Sequence, residues 1–314
     1  MRIAVLDDYQ GVALEMADWS PVLARAEVDV FRDHVTDPAA LVERLAPYDV
    51  VVLMRERTPF PAEVVNGLPE LRLLVSTGRR NTVLDVEAAR ARGIPVCTTD
   101  SPVDAPGELT WALVLGLARH LVTEHGNVNG GGWQTTVGTD LAGATLGLVG
   151  LGRIGSHAAR VGAAFGMRVL AWSPSLTEER AAAAGAHAVP LDTLLAESDV
   201  LSVHVPLNDG TRGLIGAREL ALMKPTALLV NTSRGPVVDE AALLDALHGG
   251  RLGGAGLDVY DEEPLPVDHP LRTAPNTLLT PHIGYVTDRT YRVFFEGVVE
   301  DIVAWLDGAP IRQV

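Results

Sequence analysis

Three polar side chains that follow apolar runs could together perform acid–base and anion-binding chemistry. Arg234 comes after the run LLVNTS, Glu263 stands just before a proline in DVYDEEP, and His282 follows the run NTLLTP. An unperturbed histidine titrates near pH roughly 6.5, which suits a proton donor. A carboxylate bonded to its ring would favour the charged imidazolium and fix the ring. The planar guanidinium of arginine matches a carboxylate through two parallel hydrogen bonds.

Each of these three residues has an ordinary structural explanation when it is taken alone. Arg234 could cap a helix or pair with Asp239, Glu263 could belong to a solvated acidic turn, and His282 could be structural. Their order at successive strand ends favours one site, because ligands bind beyond the carboxyl ends of the strands in an open parallel sheet. The sequence therefore predicts that Arg234, Glu263 and His282 are catalytic.

A glycine-rich segment, GLVGLGRIGSHAARVGAAFG, predicts a dinucleotide-binding turn. Gly150, Gly152 and Gly155 fit the pattern G-x-G-x-x-G, after an apolar strand and before an alanine-rich helix. The three glycines allow a tight turn, a close approach of the backbone to a pyrophosphate, and close packing of the helix on the strand. Free amides at the start of the helix then bind the phosphates, so a bound dinucleotide is expected.

The residue expected to contact the adenine ribose leaves the choice of cofactor open. Dinucleotide-binding domains usually carry an acidic residue about 20 positions after the glycines, but this chain has Ser173 at the end of VLAWS. A hydroxyl removes the charge that would repel a 2′-phosphate, which slightly favours tolerance of NADP. No arginine next to Ser173 in the sequence marks a site for that phosphate, and Arg180 is the nearest one downstream. The predicted cofactor is NAD or NADP.

Short apolar runs alternate with alanine-rich helical stretches in two consecutive series. This alternation predicts an α/β fold with two doubly wound parallel-sheet domains, each covered by helices on both faces. The segment SPVDAPG marks a boundary, and residues 287–308 form a long helix that is expected to cross back to the first domain. The predicted domains are residues 1–101 plus 284–314, and residues 102–283 as the dinucleotide-binding domain.

The composition excludes several classes of protein. With 25 Lys and Arg against 40 Asp and Glu, the net charge of −15 opposes binding to nucleic acid or to an anionic membrane. The most apolar helical stretch is too short to span a membrane. His120 and His125 are only a weak pair, so no metal is predicted. Cys97, the only cysteine, is expected to pack in the core. The lack of an N-terminal targeting pattern favours the cytoplasm.

Five motifs make the chain similar to the D-isomer-specific 2-hydroxyacid dehydrogenases over nearly its whole length. In the order and at the spacing of that family, they are GLGRIG, HVPLNDGTRGLI, NTSRG, GLDVYDEEP and TPHIG. The resemblance implies a flavodoxin-like substrate domain, a Rossmann cofactor domain, and a cleft between them that holds an Arg–Glu–His site. It also implies a homodimer built largely through the cofactor domains.

The same resemblance implies further contacts with the cofactor, which supplement those of the glycines and Ser173. Arg153 and Ile154 would contact the pyrophosphate, and Pro206 and Thr211 would lie near the adenosine. Thr232 and Asp258 would contact the nicotinamide. The carboxylate of Asp258 would accept a hydrogen bond from the carboxamide of the nicotinamide.

The segment VSTGRRNTVLD departs from the family's pattern. In the family, backbone amides of a glycine-rich loop in the first domain hold the carboxylate of the substrate. Thr77, Gly78 and Arg79 are the predicted substrate-binding residues of this loop, and Arg234 is added to them as the carboxylate-binding cation. Arg79 and Arg80 occupy positions that usually carry small residues. Their side chains either reach a second anionic group on the substrate or point to solvent.

Two other features leave the identity of the substrate open. Arg55 and Arg57, at an earlier strand end, could add positive charge to the same cleft. Tyr285 replaces a small residue after HIG and could either narrow the pocket or sit at a subunit contact.

The expected reaction is the NAD(P)-dependent interconversion of a small 2-oxo acid and the D-2-hydroxy acid, with His282 as proton donor and acceptor. Glyoxylate, hydroxypyruvate and pyruvate are the expected kinds of substrate. The alternative is a cofactor-binding protein of the same fold, similar to the C-terminal binding protein corepressors, which recruits partners and has no metabolic turnover.

Overall fold

The computed structural model describes residues 1 to 314 and divides into two α/β units. The first unit comprises Met1–Pro102 and Val286–Val314, and the second comprises Val103–Tyr285. The prediction of two α/β domains with parallel sheets is confirmed, since every strand pair in both sheets is parallel. No helix is long and apolar enough to cross a membrane.

Twelve strands form the two sheets. Those of the first unit are β1 (Arg2–Val5), β2 (Glu27–Val30), β3 (Val50–Leu53), β4 (Leu73–Ser76) and β5 (Val96–Thr98). Those of the second unit are β6 (Thr145–Val149), β7 (Arg168–Trp172), β8 (His187–Ala188), β9 (Val200–Val203), β10 (Leu228–Asn231), β11 (Gly254–Leu257) and β12 (Thr277–Leu279).

Helices connect most of these strands. In chain order they are α1 (Ser20–Leu23), α2 (Pro38–Leu45), α3 (Ala62–Gly67), α4 (Val86–Ala91), α5 (Ala105–Ala118), α6 (Leu121–Asn129), α7 (Arg153–Ala164), α8 (Glu178–Ala183), α9 (Leu191–Glu197), α10 (Ala217–Leu222), α11 (Glu240–His248) and α12 (Asp288–Leu306). Two short 3₁₀ helices, Gly235–Val237 and Pro270–Thr273, follow β10 and precede β12.

The order of the strands places the ligand-binding edges. The first sheet runs β2-β1-β3-β4-β5, the flavodoxin-like order, and the second runs β12-β11-β10-β9-β6-β7-β8. In the second sheet the order reverses between β6 and β9, and a crevice for a ligand opens beyond the carboxyl ends of the strands at such a point. Strands β10, β11 and β12 are neighbours, so the residues that follow them lie at the same edge.

The central strands are buried on both faces, which explains their continuous apolar sequence. All four residues of β3 and of β4 are buried, as helices cover both sides of a parallel sheet. The apolar pattern does not mark the edge strands β2 and β8. The sequence EVDV of β2 is largely half-buried and polar at alternate positions, and β8 has only two residues.

The last long helix, α12, belongs to the first unit. It begins after Thr287, whose hydroxyl accepts a hydrogen bond from the amide of Thr290, and it packs against β4 and β5. Its own residues Phe294 and Phe295 are fully buried, and each such ring stabilises the fold by about 1.5–3 kcal/mol. Cys97 on β5 is buried in the same core, and burial raises the pKa of its thiol to about 12.

Candidate active site

The imidazole of His282 is held on the carboxylate of Glu263. His282 lies three residues beyond β12, and its Nδ1 is 2.5 Å from Oε2 of Glu263. Its backbone is in the left-handed region, with φ of 52°, and its amide donates to the carbonyl of Thr280 at 3.0 Å. Because Nδ1 is occupied, Nε2 is the nitrogen that can exchange a proton with a ligand.

The second oxygen of Glu263 is also engaged. Oε1 accepts a hydrogen bond from the backbone amide of Tyr260 at 2.9 Å. The side chains of His282 and Glu263 are 28% and 34% exposed, so the pair is accessible to a ligand. With both oxygens bonded, the carboxylate has one orientation, and the ring plane of His282 is fixed with it. The ring of Tyr285 stands edge-on to the imidazole at 5.7 Å between centroids, so this tyrosine lies at the histidine.

Asp258 fixes the chain immediately after His282. Its side chain accepts hydrogen bonds from the hydroxyl of Thr280 at 2.6 Å and from the amides of Ile283 and Gly284, both at 2.8 Å. Burial raises the pKa of Asp258, while these hydrogen bonds act in the opposite direction. The predicted contact of Asp258 with the nicotinamide stays a prediction. The hydrogen bonds show in addition that Asp258 sets the conformation of residues 280–284, the segment that contains His282.

Arg234 is presented by a turn that Asn231 organises. Asn231, the last residue of β10, is 1% exposed. Its Oδ1 accepts from the amide of Ser233 at 3.0 Å, and its Nδ2 donates to the carbonyl of Arg234 at 2.9 Å. Nη1 of Arg234 donates to the carbonyl of Ser233 at 2.7 Å. Asn231 was not predicted from the sequence, although it is the first residue of the quoted motif NTSRG.

These strand ends bring the three predicted catalytic residues to one edge of the second sheet. Arg234 follows β10, Glu263 follows β11 and His282 follows β12, which are three adjacent parallel strands. The imidazole, the carboxylate bonded to it and the guanidinium therefore follow neighbouring strands of the sheet. This set can bind an anion and transfer a proton.

The glycine turn has the shape that a dinucleotide pyrophosphate requires. Gly150 has φ of 103°, and a Cβ there would meet the backbone of His204 at 2.8 Å. A Cβ on Gly155 would lie 2.1 Å from the carbonyl oxygen of Gly150, so helix α7 packs directly on the turn. A Cβ on Gly152 would meet nothing within 4 Å. Gly150 and Gly155 are thus required by the fold, whereas Gly152 leaves open space at the start of the helix.

The amides at the start of α7 face this open space. Gly152 is the N-cap and offers no side-chain cap, and the first intrahelical bond runs from the amide of Ser156 to the carbonyl of Gly152. The preceding amides, including those of Arg153 and Ile154, have no partner within the helix. Free amides and the positive end of the helix dipole suit a phosphate group, so these residues fit a dinucleotide.

The remaining predicted cofactor residues occupy strand ends of the same sheet. Ser173 directly follows β7 and is partly exposed. Thr211 is buried and donates to the carbonyl of Pro206 at 2.6 Å, which closes the loop after β9. The hydroxyl of Thr232 is 2.8 Å from that of Thr110 on α5. Their contacts with a cofactor stay predictions.

His204, which was not predicted as a site residue, packs at the glycine turn. Its Nε2 lies 2.9 Å from the hydroxyl of Ser202, and its Cβ would be 3.7 Å from a Cβ on Gly155. Burial lowers the pKa of His204 to about 4, so the ring is neutral at physiological pH. A neutral histidine in this position supports the turn.

In the first unit, the predicted substrate loop lies at the end of β4. Gly78 has φ of 80°, and its amide donates to the hydroxyl of Thr99 at 2.8 Å. The hydroxyl of Thr77 accepts from the amide of Arg55 at 2.9 Å. The guanidinium of Arg55 covers Gly78 so closely that a Cβ there would be 1.8 Å from Nη1. The glycine is therefore required by its backbone conformation.

Arg79 and Arg57 have partners within the first unit. Arg79 is exposed and bonds Oδ1 of Asp100 through Nε at 3.0 Å and Nη2 at 2.7 Å. Arg57 donates to the carbonyl of Asp7 at 2.5 Å and to the hydroxyl of Tyr291 at 3.3 Å. Arg79 is thus paired at the surface in this structure, and binding of a substrate anion would require it to exchange that partner.

Comparison with known proteins places the chain in a family. A sequence model of the D-isomer specific 2-hydroxyacid dehydrogenase NAD binding domain matches residues 111–284. A glyoxylate reductase of Korarchaeum cryptofilum is 38% identical over 290 residues, covering 90% of this chain and 87% of that protein. A hydroxypyruvate reductase of Blautia hydrogenotrophica is 32% identical over 328 residues, covering 100% and 99%.

Solved structures agree with these relatives. The structure of a phosphoglycerate oxidoreductase from Vibrio cholerae O395 has 38% sequence identity and a TM-score of 0.93, covering 98% of this chain and 100% of that one. The fold, the site and these similarities define an NAD(P)-dependent oxidoreductase. The chain belongs to the D-isomer-specific 2-hydroxyacid dehydrogenase family. The alternative of a corepressor-like binding protein finds no support among these relatives.

Proposed function

We propose that the protein reduces a small 2-oxo acid to the D-2-hydroxy acid, with glyoxylate, hydroxypyruvate and pyruvate as the kinds of substrate. The observation that carries this proposal is the fixed His282–Glu263 pair, which leaves Nε2 of the imidazole available for a carbonyl oxygen. The names of two relatives, a glyoxylate reductase and a hydroxypyruvate reductase, favour substrates of this size.

The residues divide the chemistry among them. A bound reduced nicotinamide supplies the hydride. The imidazolium of His282 donates its Nε2 proton to the substrate's keto oxygen as that oxygen gains negative charge, and it takes the proton back in the reverse reaction. Glu263 orients the ring and stabilises its charged form. Arg234 binds the carboxylate of the substrate and stabilises the charge that develops on the carbonyl.

The domain roles are part of the proposal. Residues 1–101 and 284–314 form the substrate domain, in which Thr77, Gly78 and Arg79 would contact the substrate. Residues 102–283 form the dinucleotide-binding domain. The proposal for the second range is supported by the glycine turn and by the match of the NAD-binding domain over residues 111–284.

The reaction is tested by following the loss of reduced-nicotinamide absorbance with glyoxylate, hydroxypyruvate and pyruvate, each with NADH and with NADPH. We expect turnover with at least one of the six pairs. Chiral analysis of the product is expected to give the D-hydroxy acid. Tight cofactor binding without turnover of any of the three acids would contradict the proposed substrate class.

The loop after β7 favours acceptance of NADP as well as NAD. Ser173 carries no charge, and Nη1 of Arg180 donates to the carbonyl of Ser175 at 3.1 Å, which draws this cation back onto the loop. An arginine near the adenine ribose can accommodate a 2′-phosphate. We predict that Arg180→Ala raises the KM for NADPH roughly 10-fold, because a charge-assisted hydrogen bond contributes about 1.5–3 kcal/mol, and leaves the KM for NADH unchanged.

A matched experiment separates the ribose contact from a general effect of charge. Arg160→Ala removes another arginine of the same domain, on α7, and is expected to leave both KM values unchanged. Equal changes in the KM for NADH and for NADPH in the Arg180→Ala variant would contradict the assignment of this residue to the 2′-phosphate.

We propose further that the protein is a cytoplasmic homodimer whose contact includes α6 and the segment that follows it. None of the residues of α6 is buried, and Trp133 and Val137 beyond it are 74% and 92% exposed. An apolar patch of this kind is typical of a protein interface. Oε1 of Glu124 accepts hydrogen bonds from Thr135 and Thr136, which fasten the segment to the helix.

The oligomeric state is measured by light scattering. We expect the molar mass to be twice that of one chain, and we expect Trp133→Asp to shift the protein toward monomer because it places a charge in the contact. A monomeric parent protein, or a Trp133→Asp variant that remains fully dimeric at micromolar concentration, would contradict this assignment.

A further inference from the structure

Glu263 is carried by an irregular loop whose position must be set from outside. The loop runs from the end of β11 to the 3₁₀ helix Pro270–Thr273 and contains no regular secondary structure before that helix. Tyr260, whose amide binds Glu263, fixes only the start of the loop: its buried side chain donates from its hydroxyl to the carbonyls of Leu257 and Thr280. Contacts that anchor the loop to the rest of the second unit therefore decide where the carboxylate of Glu263 stands relative to His282.

One carboxylate outside the loop lies next to it on both sides of Glu263. The carboxylate belongs to Glu240, the first residue of α11, and the backbone amide of Asp261, two residues before Glu263, acts to lower its pKa. Oε1 of Glu240 is also 2.9 Å from Nε2 of His269, six residues after Glu263. The side chains of His269 and Glu240 are 17% and 21% exposed, so the pair is more protected than the catalytic pair.

The hydrogen bonds of His269 define how it pairs with Glu240. Its Nδ1 accepts from the amide of Leu271 at 3.3 Å, so a neutral ring carries its proton on Nε2, the nitrogen that lies 2.9 Å from Oε1 of Glu240. The contact therefore persists whether the ring is neutral or charged. Burial raises the pKa of Glu240, the adjacent Asp261 acts in the same direction, and His269 opposes both.

A simple role in capping α11 does not account for Glu240. The cap of that helix is Asp239, whose side chain accepts from the amide of Ala242 at 2.9 Å. A carboxylate in the first turn favours a helix through its dipole alone, and an exposed position would serve that purpose. Glu240 instead contacts the loop through its Oε1, 2.9 Å from Nε2 of His269, and its side chain is only 21% exposed.

We propose that Glu240 and His269 are positioning residues, which hold the loop so that the carboxylate of Glu263 stays on Nδ1 of His282. The proposal rests on the function proposed above, in which the Glu263–His282 pair transfers the proton. It assigns no contact with substrate or cofactor to either residue. Loss of the contact between Glu240 and His269 lowers turnover, because a displacement of a catalytic group by about 1 Å can cost roughly 100-fold in rate.

The experiment compares Glu240→Ala, Glu240→Gln and His269→Asn in the full chain with the best substrate found. We expect Glu240→Ala to lower kcat roughly 10- to 100-fold, as is found when partners that orient reactive groups are removed. The KM for the reduced cofactor should stay unchanged. Glu240→Gln keeps an acceptor oxygen and should recover most of kcat. His269→Asn keeps a donor and should lie between the two.

The pH profile provides a readout that loss of stability alone does not move. Reduction requires the imidazolium, so kcat/KM falls as pH rises through the titration of the proton donor. When the carboxylate partner is displaced, the imidazolium is stabilised less, and the alkaline limb should move to lower pH in Glu240→Ala. Asp239→Ala is the matched control: it removes the cap of the same helix, lowers stability by about 1 kcal/mol, and should leave the profile where it is.

A double-mutant cycle with Glu263→Ala tests whether Glu240 acts through Glu263. If it does, Glu240→Ala should change kcat less than 3-fold once Glu263 is absent. Full additivity, or an unmoved pH limb in Glu240→Ala, would overturn the inference while leaving the proposed function intact. A different result, in which Glu263→Ala and His282→Ala themselves retain normal turnover, would instead overturn the proposed function.

Discussion

Replacement of His282 by alanine is expected to lower kcat for 2-oxo acid reduction by roughly 100- to 10,000-fold, the range that a positioned general acid contributes. The reason lies in the geometry of the pair. Glu263 binds Nδ1 at 2.5 Å and is itself fixed by the amide of Tyr260, so no other group of the pair can supply the proton that Nε2 carries. Rates are measured with saturating reduced cofactor over pH 5 to 9.

The affinity for the cofactor distinguishes loss of the proton donor from loss of the fold. We expect the Kd for NADH, measured by fluorescence, to change by less than about 3-fold in His282→Ala, which corresponds to under 1 kcal/mol. His248→Ala is the matched control, since this histidine is exposed and bonds only to the carbonyl of Leu244 in its own helix. Turnover of His282→Ala within 10-fold of the parent would show that another group protonates the substrate.

Replacement of Gly152 by aspartate is expected to weaken cofactor binding at least roughly 100-fold while making the free protein slightly more stable. The backbone of Gly152 has φ of −81° and ψ of −159°, which an aspartate N-cap adopts without strain, and a Cβ there meets no other atom. The new carboxylate would cap α7 and stabilise the protein by about 0.5–1 kcal/mol. The same carboxylate would occupy the amides that the pyrophosphate needs and repel its charge.

The loss of affinity follows from the hydrogen bonds that are replaced. Charge-assisted hydrogen bonds contribute about 1.5–3 kcal/mol each, so the loss of two raises the Kd at least roughly 100-fold. The Kd is measured by titration and the stability by thermal unfolding without cofactor. If Gly152→Asp retained the parental affinity, the pyrophosphate would not lie at the start of α7.

The neighbouring glycine provides the contrast. Gly155→Ala places a Cβ 2.1 Å from the carbonyl oxygen of Gly150, so it should lower the melting temperature even without cofactor. A higher melting temperature for Gly152→Asp and a lower one for Gly155→Ala would show that Gly152 is needed for the ligand and Gly155 for the packing of the helix. Equal destabilisation by both would contradict the open space seen at Gly152.

The sequence alone determined the fold class, the family and the main elements of the candidate site. Parallel strands buried on both faces must be apolar along their whole length, as in β3 and β4, so alternation of such runs with helices predicts two parallel sheets. The glycine turn was recognisable because its pattern lies in one strand–turn–helix unit, in which Gly150 has a positive φ of 103° and a Cβ on Gly155 would meet the carbonyl oxygen of Gly150. The edge strands β2 and β8 were not predicted from the sequence, because exposed strands lack a continuous apolar run.

Only the tertiary structure decided which residues support the catalytic groups. Asn231 shapes the turn of Arg234, Asp258 binds the chain after His282, and Glu240 holds the loop of Glu263 from a different helix. Single polar residues such as these carry no periodic pattern, and their partners are distant in the sequence. A hydrogen bond depends on distance and direction in space, whereas the sequence fixes only composition and spacing along the chain. The chemistry was therefore visible in the motifs, and the means of positioning it became visible only when the strands were assembled.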